Sequence, residues 1–214
     1  MVGDKYSPDD VNRLAESLLM NDSSLNYYCL TDYPNPDRFI KQINVVPYTK
    51  LWRGVWPKLT MFDRQFPIHG RNMFFDLDTL IVNNPYVDLN IDWSKLTMVD
   101  CHWKSESMIR ETNSDTIFNS SILAWDSSNV FLHSLWDHFA NHGLSDYYTR
   151  KYVGIDRFIY HEVTAEQRKG EYRTFPQEYL RSYKNELFKP DVCVITFEEV
   201  DFGSIDIKTV LKDY

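Results

Sequence analysis

The sequence predicts an α/β fold, a single Rossmann-like domain over residues 1–214 in which helices flank a mostly parallel central sheet. Three observations lead to this fold class. Short apolar segments of strand character alternate with amphipathic helical segments along the chain. The hydrophobic content of 43% in 214 residues is enough for one sizeable core. An Asp-Leu-Asp triplet, Asp76 to Asp78, interrupts an apolar segment in the manner of a strand that ends at a ligand site.

The first helix is predicted at "YSPDDVNRLAESLLMN". Ser7 is the expected N-cap, Pro8 takes the first helical position and Asp10 follows three residues after the cap. The preceding "MVGDKY" has room only for a short strand. Two further strands follow at "LNYYCLTD" and "INVVPY", separated by the turn-rich "DYPNPDR".

The middle of the chain carries the acidic triplet. A short helix is predicted at "WPKLTMFDRQF", with Trp56, Leu59 and Phe62 facing inward. It leads into "NMFFDLDTLIV", where the carboxylates either meet a cation within the strand or mark its end at a water-filled cleft. Two further strands are predicted at "KLTMVDCHW" and "IFNSSILAWD", with a polar loop between them.

The last third predicts two helices and one strand. The helices are expected at "NVFLHSLWDHFANHG" and "GIDRFIYHEV", and the strand at "DVCVITF". The charged segment "RKGEYRTFPQEYLRSYKNELFKP", residues 168–190, is predicted to be irregular and on the surface. Most tryptophans are expected in or near the core because each falls in an apolar segment.

Composition excludes several function classes. With 31 acidic and 23 basic residues the net charge is -8, which argues against a nucleic-acid partner. No apolar segment is long enough to span a membrane, and the start lacks a signal peptide. Cys29, Cys101 and Cys193 are too far apart for a zinc or redox motif, so buried free thiols in the cytoplasm are expected.

The acidic triplet predicts a metal site. Side chains alternate along a strand, so Asp76 and Asp78 are expected on one side of it. Their hard oxygen atoms suit Mg²⁺ or Mn²⁺, which complete their coordination with water and substrate phosphates. The alternative is a solvated strand end without a metal.

Two enzyme classes place an acidic pair after an apolar strand. Phosphohydrolases of the haloacid dehalogenase type carry a motif like "FDLDGTL", which "FFDLDTL" resembles without the glycine. In that family the motif ends the first strand, whereas at least three strands are predicted before Asp76 here. Glycosyltransferases of the GT-A type instead end a middle strand in Asp-x-Asp, which holds a metal at the donor diphosphate.

The chain resembles the second class over most of its length. "VGDKYSPDDVNRL", "CLTD", "WPKL", "FFDLDTLIV" and "FNSSILAWD" follow one another in the order found in GT-A glycosyltransferases of the glycogenin and bacterial galactosyltransferase kind. The similarity is strongest to small viral and bacterial relatives, including the glycosyltransferase domain of chlorella viruses, so a viral protein in the host cytoplasm is one expectation. The ordered set is far more specific than any single motif.

The resemblance implies a UDP-sugar donor, a carbohydrate or glycoprotein acceptor, and Mn²⁺ or Mg²⁺ as cofactor. It favours retention of configuration, and inversion stays the alternative. It makes Asp76 and Asp78 the metal ligands and catalytic residues. It places Lys58 at the donor's sugar or phosphates and Tyr6 against the nucleotide base. Residues 1–85 are then the nucleotide and metal half, and residues 86–214 the acceptor half. The abrupt start predicts that further domains belong to the protein.

The same resemblance assigns residues that face the sugars. Asn119 and Ser120 are expected to hydrogen-bond donor hydroxyls, and Trp103 to lie on the acceptor side. Two positions depart from the family. "GIDRF" leaves Asp156 as the only acid of a sugar-facing acidic-amide motif, and Asp156 is the third residue that the resemblance assigns to catalysis. "VITFEEVD" puts Glu198 where relatives carry a metal-binding histidine. Competing functions are a phosphohydrolase with Asp76 as nucleophile and a non-catalytic sugar or nucleotide-binding domain.

Overall fold

The computed structural model describes residues 1–88, 91–102, 107, 116, 118–140, 144–163, 165–182 and 194–196. Its strands are β1 (Tyr27–Thr31), β2 (Ile43–Pro47), β3 (Arg71–Phe75), β4 (Thr79–Ile81), β5 (Leu96–Asp100), β6 (Phe118–Asp126), β7 (Tyr172–Thr174), β8 (Leu180–Ser182) and β9 (Val194–Thr196). Its α-helices are α1 (Pro8–Asn21), α2 (Pro85–Asp88), α3 (Val130–Ala140), α4 (Ser145–Lys151), α5 (Ile155–Glu162) and α6 (Ala165–Glu171).

The chain forms two compact units that interleave along the sequence. The first comprises Met1–Gly54, Asp76–Asn90 and Pro176–Tyr214, and the second Val55–Phe75 and Ile91–Phe175. The predicted roles of residues 1–85 and 86–214 stay predictions.

The first unit is built around α1. The Asp10 carboxylate accepts hydrogen bonds from the backbone N–H and the hydroxyl of Ser7, both at 2.8 Å, which fixes the start of the helix where the sequence predicts it. The apolar face of α1 packs on β1 and neighbouring segments in a cluster of Val11, Ala15, Cys29, Phe39 and Ile43.

The residues before α1 do not form the short strand predicted for them. They run as bends beside the end of β1, where the Met1 amine donates to the Leu30 carbonyl at 2.6 Å and the Gly3 N–H to Asp32 Oδ1 at 3.1 Å. Gly3 has φ +81°, which an L side chain rarely adopts, so the backbone turns away from a strand. The two bonds nevertheless tie this segment to β1.

The second unit centres on the sheet β3-β6-β5-β7. A 3-10 helix at Trp56–Phe62 packs against α3 and α5, and its Trp56 ring stacks on Phe139 at 5.2 Å between centroids. The expected tryptophan burial is confirmed for Trp56, Trp125 and Trp136. Flat aromatic faces therefore form much of this core.

Strand pairing is more mixed than the sequence predicts. Among the described strands, β1–β2, β5–β7 and β8–β9 are parallel, whereas β3–β6, β5–β6 and β4–β9 are antiparallel. Alternation of strands and helices is a local signal, but strand direction depends on the partner that each strand finds. The α/β fold class is confirmed, and "mostly parallel" is not.

The segment predicted to be irregular is partly ordered. Its first residues continue α6 and then form β7 and β8, because Tyr172, Phe175 and Leu180 are buried. β7 pairs with β5 in the second unit, and β8 with β9 in the first. Burial of these three apolar residues thus orders parts of the segment despite its charge.

The predictions on membrane-spanning segments and on the cysteines can be compared with the structure. Within the described ranges, no helix is long and apolar enough to cross a membrane. Cys29 and Cys101 are buried thiols that form no disulfide within the described residues, as predicted, and Cys193 lies outside the described residues.

Candidate functional site

The acidic triplet is a tight turn between β3 and β4, and not part of a strand. The carbonyl of Asp76 accepts a hydrogen bond from the Thr79 N–H at 3.2 Å and another from the Thr79 hydroxyl at 2.7 Å. The strand end expected at Asp76 is therefore confirmed, because β3 ends at Phe75 and the Asp76 carbonyl bonds to Thr79 as in a turn. The argument from alternating side chains does not apply to Asp76 and Asp78.

Leu77 anchors the turn. Its side chain packs against the core cluster of the first unit, while Asp76 and Asp78 on either side are only partly buried. A partly buried apolar residue between two carboxylates supports the turn without a need to bury charge. The triplet therefore presents its carboxylates from a supported position.

Tyr6 links the turn to the start of α1. Its hydroxyl donates a hydrogen bond to Asp78 Oδ2 at 2.8 Å. Burial raises the pKa of Tyr6 well above its usual range, and the charges of Asp78 and Asp76 raise it further. That Asp76 and Asp78 lie on one side of the backbone stays a prediction.

Lys5 brings a positive charge to the same carboxylate. Its Nζ lies 3.7 Å from Asp78 Oδ2 and 4.6 Å from the centroid of the Tyr6 ring. The Lys5 side chain is 74% exposed and that of Asp78 is 23% exposed. The turn is thus accessible and already attracts a cation. Lys5 was not among the residues predicted for the site. The only feature of the sequence that pointed to Lys5 was its position beside Tyr6 in "VGDKY".

The donor set fits a hard divalent cation. Asp76 and Asp78 supply carboxylate oxygens, the ligands that Mg²⁺ and Mn²⁺ prefer, and the neighbouring ammonium shows that the site favours positive charge. The described residues contain no group of three or more His, Cys, Asp or Glu side chains placed to hold a metal. The remaining ligands would come from water or substrate, and the predicted ligand Glu198 lies outside the described residues.

In the second unit, Lys58 contacts Ser120. Lys58 Nζ donates to the Ser120 carbonyl at 3.2 Å and to the Ser120 hydroxyl at 3.3 Å. It also lies 5.1 Å from the centroid of the Phe74 ring in β3. The structure therefore brings together two residues that the sequence assigned to the donor from separate segments.

Asn119 and Ser120 occupy an irregular part of β6. Val99 pairs with Asn119, whereas the preceding Met98 pairs with Leu123, so residues 120–122 interrupt the register. The Asn119 side-chain oxygen accepts from the Ser121 N–H at 2.6 Å and from the Ser121 hydroxyl. Such irregularities re-aim side chains and are common beside functional sites.

Asp156 lies in the first turn of α5. Its Oδ1 atom is buried and has no hydrogen-bond partner among the described residues. A buried carboxylate oxygen without a donor is costly, so a hydroxyl group from a ligand would be favourable there. The predicted sugar-facing residue thus has an unused acceptor.

Other candidates are separate from these residues or cannot be placed. A pocket in the second unit contains none of the predicted site residues, and its lining includes Phe62, Arg64, His69, Trp125 and His133. Trp103, predicted at the acceptor side, lies outside the described residues.

Solved structures share the fold. Neither a protein-family model nor a curated protein matches the sequence. The galactosyltransferase LgtC, solved with donor and acceptor sugar analogs, matches with a TM-score of 0.61 at 9% identity over 99% of this chain and 92% of its own. GlyE of Streptococcus pneumoniae matches with a TM-score of 0.60 at 11% identity, over 100% of this chain and 62% of its own.

A viral enzyme also matches. A glycosyltransferase involved in the glycosylation of the major capsid of PBCV-1 has a TM-score of 0.53 at 10% identity, over 100% of this chain and 97% of its own. The chain therefore has the GT-A fold that the sequence resemblance predicted. At these identities the likeness shows the fold alone, and the chemistry has to be argued from the residues.

Proposed function

We propose that the protein is a metal-dependent glycosyltransferase that moves a sugar from a UDP-sugar donor to a hydroxyl group of a carbohydrate or glycoprotein. The observation that carries this proposal is the Asp76–Asp78 turn, where Asp78 accepts a hydrogen bond from the Tyr6 hydroxyl and lies 3.7 Å from the Lys5 ammonium. The GT-A fold supports it, because the structural neighbours are glycosyltransferases and LgtC was solved with sugar analogs of donor and acceptor.

Asp76 and Asp78 would hold Mn²⁺ or Mg²⁺. The bound ion would neutralise the charge that develops on the nucleoside diphosphate leaving group. The protein's own contribution is to keep the two carboxylates in place. Leu77 does so by packing, and Thr79 by its two hydrogen bonds to the Asp76 carbonyl.

The sugar-facing groups would act as neutral donors and fixed acceptors. Ser120, held by Lys58, and Asn119 beside the register shift of β6 suit sugar hydroxyls. The unpartnered Oδ1 of Asp156 would accept a hydroxyl proton from bound sugar. The Tyr6 ring would pack against the nucleotide base, while the Tyr6 hydroxyl orients Asp78 through its hydrogen bond. The roles of Trp103 and Glu198 stay predictions.

The competing functions have no specific support. None of the structural neighbours reported above is a phosphohydrolase, so nothing favours Asp76 as a nucleophile. A non-catalytic binding domain would keep its affinity for nucleotide or sugar after loss of Asp78. That difference makes Asp78 the residue to change first.

The test is calorimetric titration of UDP and several UDP-sugars, with Mn²⁺ and with chelator. We expect UDP binding that requires Mn²⁺ in the wild type and is lost in Asp78→Ala. Asp37→Ala is the matched control, since Asp37 is an exposed carboxylate of the same unit, and it should bind like the wild type. UDP binding unaffected by Asp78→Ala would contradict the proposed site.

Turnover is tested separately. Incubation with the preferred UDP-sugar and a panel of sugar acceptors should release UDP faster than incubation without acceptor. Phosphate release from small phosphoesters, abolished by Asp76→Asn, would instead favour a phosphohydrolase. No binding of UDP or UDP-sugars under any condition would rule out the transferase.

A further inference from the structure

We propose that Lys5 is a positioning residue that couples the binding of metal and nucleotide. In the free protein its ammonium is the counter-ion of Asp78. A divalent cation displaces it from that carboxylate, and it then contacts the diphosphate of the incoming nucleotide. The inference rests on the proposed function. It adds Lys5 to the site and predicts how Lys5 changes the affinities for metal and nucleotide.

The contacts of Asp78 define the starting state. Oδ2 receives the Tyr6 hydroxyl at 2.8 Å and lies 3.7 Å from Lys5 Nζ. The phenol is partly buried, whereas the Lys5 side chain is 74% exposed. The tyrosine therefore holds the carboxylate, and the lysine is the partner that can leave.

The backbone of Lys5 is fixed on both sides. Two residues before it, the Gly3 N–H donates to Asp32 Oδ1 at 3.1 Å, and two residues after it, the Ser7 N–H donates to Asp10 Oδ2 at 2.8 Å. Displacement of the ammonium thus requires only rotation of the side chain. Lysine has four rotatable methylene groups and a strongly hydrated head, so this movement is inexpensive.

The charges determine the sign of the coupling. The Lys5 ammonium lies 3.7 Å from Asp78, which shares its turn with Asp76, so Lys5 has an acidic partner before any ligand binds. A divalent cation at Asp78 replaces Lys5 and repels it. A diphosphate brings negative charge beside the metal, and the released ammonium then has a new partner. Lys5 therefore opposes metal binding to the free protein and favours it once the nucleotide is present.

The expected size follows from the exposure of the pair. An exposed ion pair contributes up to about 1 kcal/mol, which corresponds to roughly a five-fold change in affinity. Replacement of Lys5 by an uncharged residue of similar length should therefore change affinities by about three- to five-fold. Coupling is reciprocal, so the coupling lost in the variant must be the same whether Mn²⁺ or UDP is the second ligand to bind.

The experiment compares Lys5→Met with Lys41→Met by calorimetry. Lys41 is an exposed lysine of the same unit, so both variants lose one positive charge. Mn²⁺ is titrated into each protein without nucleotide, and UDP is titrated with saturating Mn²⁺. We expect Lys5→Met to bind Mn²⁺ alone about three- to five-fold more tightly and UDP in the presence of Mn²⁺ more weakly. Lys41→Met should match the wild type, and thermal unfolding checks that both variants fold.

Three outcomes would overturn the inference, and they differ from failure of the proposed function. If the Lys5→Met variant binds Mn²⁺ with the same affinity as Lys41→Met, Lys5 is not a counter-ion of Asp78. Tighter Mn²⁺ binding with unchanged UDP affinity would show that Lys5 does not pass to the diphosphate. Equal losses of both affinities would show a merely supporting role. Asp78→Ala serves as the reference, because Mn²⁺ binding that does not depend on Asp78 would contradict the metal site itself.

Discussion

The Lys58 ammonium is hydrogen-bonded to Ser120 through both the carbonyl, at 3.2 Å, and the hydroxyl, at 3.3 Å. The two residues are 62 positions apart in the sequence. The contact joins the 3-10 helix at Trp56–Phe62 to the irregular part of β6. It holds Ser120 in place and leaves Lys58 only partly buried.

Loss of this contact should affect both stability and ligand affinity. Lys58→Met removes two charge-assisted hydrogen bonds near a buried serine, so we expect the free energy of unfolding to fall by about 1 kcal/mol. UDP-sugar affinity should fall more than UDP affinity if Lys58 and Ser120 face the sugar. Lys50→Met, at an exposed lysine, is the control. If Lys58→Met binds UDP and the UDP-sugar with the same affinities as Lys50→Met, Lys58 is not part of the donor site.

Thr79 provides a test of the acidic turn. Thr79→Val keeps the shape of the side chain but loses the hydroxyl bond to the Asp76 carbonyl, whereas Thr79→Ser keeps the bond and loses a buried methyl group. Both should lower the free energy of unfolding by about 1 kcal/mol. Only Thr79→Val should weaken Mn²⁺ binding, measured by calorimetry. Equal Mn²⁺ affinity in the two variants would show that this bond does not position Asp76.

Two glycines should respond to alanine in opposite directions. Gly70 has φ +85° and precedes β3, where its N–H donates to the Ser127 hydroxyl and its carbonyl accepts from the Ser127 N–H. Gly70→Ala should lower the free energy of unfolding by about 1 kcal/mol because of backbone strain, although the added methyl group meets no atom.

The matched substitution is Gly170→Ala in α6, where the methyl group also meets nothing. Because alanine is the better helix former, the free energy of unfolding should rise by up to about 1 kcal/mol. Chemical denaturation measures both variants. A stabilised Gly70→Ala would contradict the left-handed conformation at that position.

The stability of the second unit should depend on pH through Glu162. Its Oε1 accepts hydrogen bonds from Lys151 Nζ, at 2.8 Å, and from the Tyr152 hydroxyl, and its Oε2 lies 3.4 Å from His138 Nε2. Burial alone would raise the pKa of Glu162, but these hydrogen bonds outweigh it and hold the pKa below its usual 4.5.

The sign follows from this lowered pKa. Above 4.5 the ionised carboxylate stabilises the folded state, and the contribution is lost as the pH falls through the lower pKa of the folded protein. Glu162→Gln should lower the melting temperature at pH 7 by about 3 °C. The difference between variant and wild type should shrink in acid. A difference that stays constant from pH 7 to pH 3 would contradict the ionic role of Glu162.

The local signals of the sequence identified much of this molecule. The start of α1 depends on Ser7 and Asp10, three residues apart, so its capping bonds are visible in the sequence. The cores of the strands predicted at β1, β2, β5, β6 and β9 are apolar and lie where expected. The position of the acidic triplet, and the GT-A resemblance built around it, were likewise available from residue types and their order.

The tertiary structure decided how these parts meet. Asp78 and Tyr6 are 72 residues apart, and no local pattern indicates that a phenol and an exposed lysine share its carboxylate. The turn at Asp76 is supported because Leu77 packs against the core of the first unit. Strands β7 and β8 form because apolar residues of a charged segment are buried. Hydrogen bonds within a few residues depend on local sequence alone. Contacts between distant residues depend on the burial and strand pairing of the whole chain, which no single segment specifies.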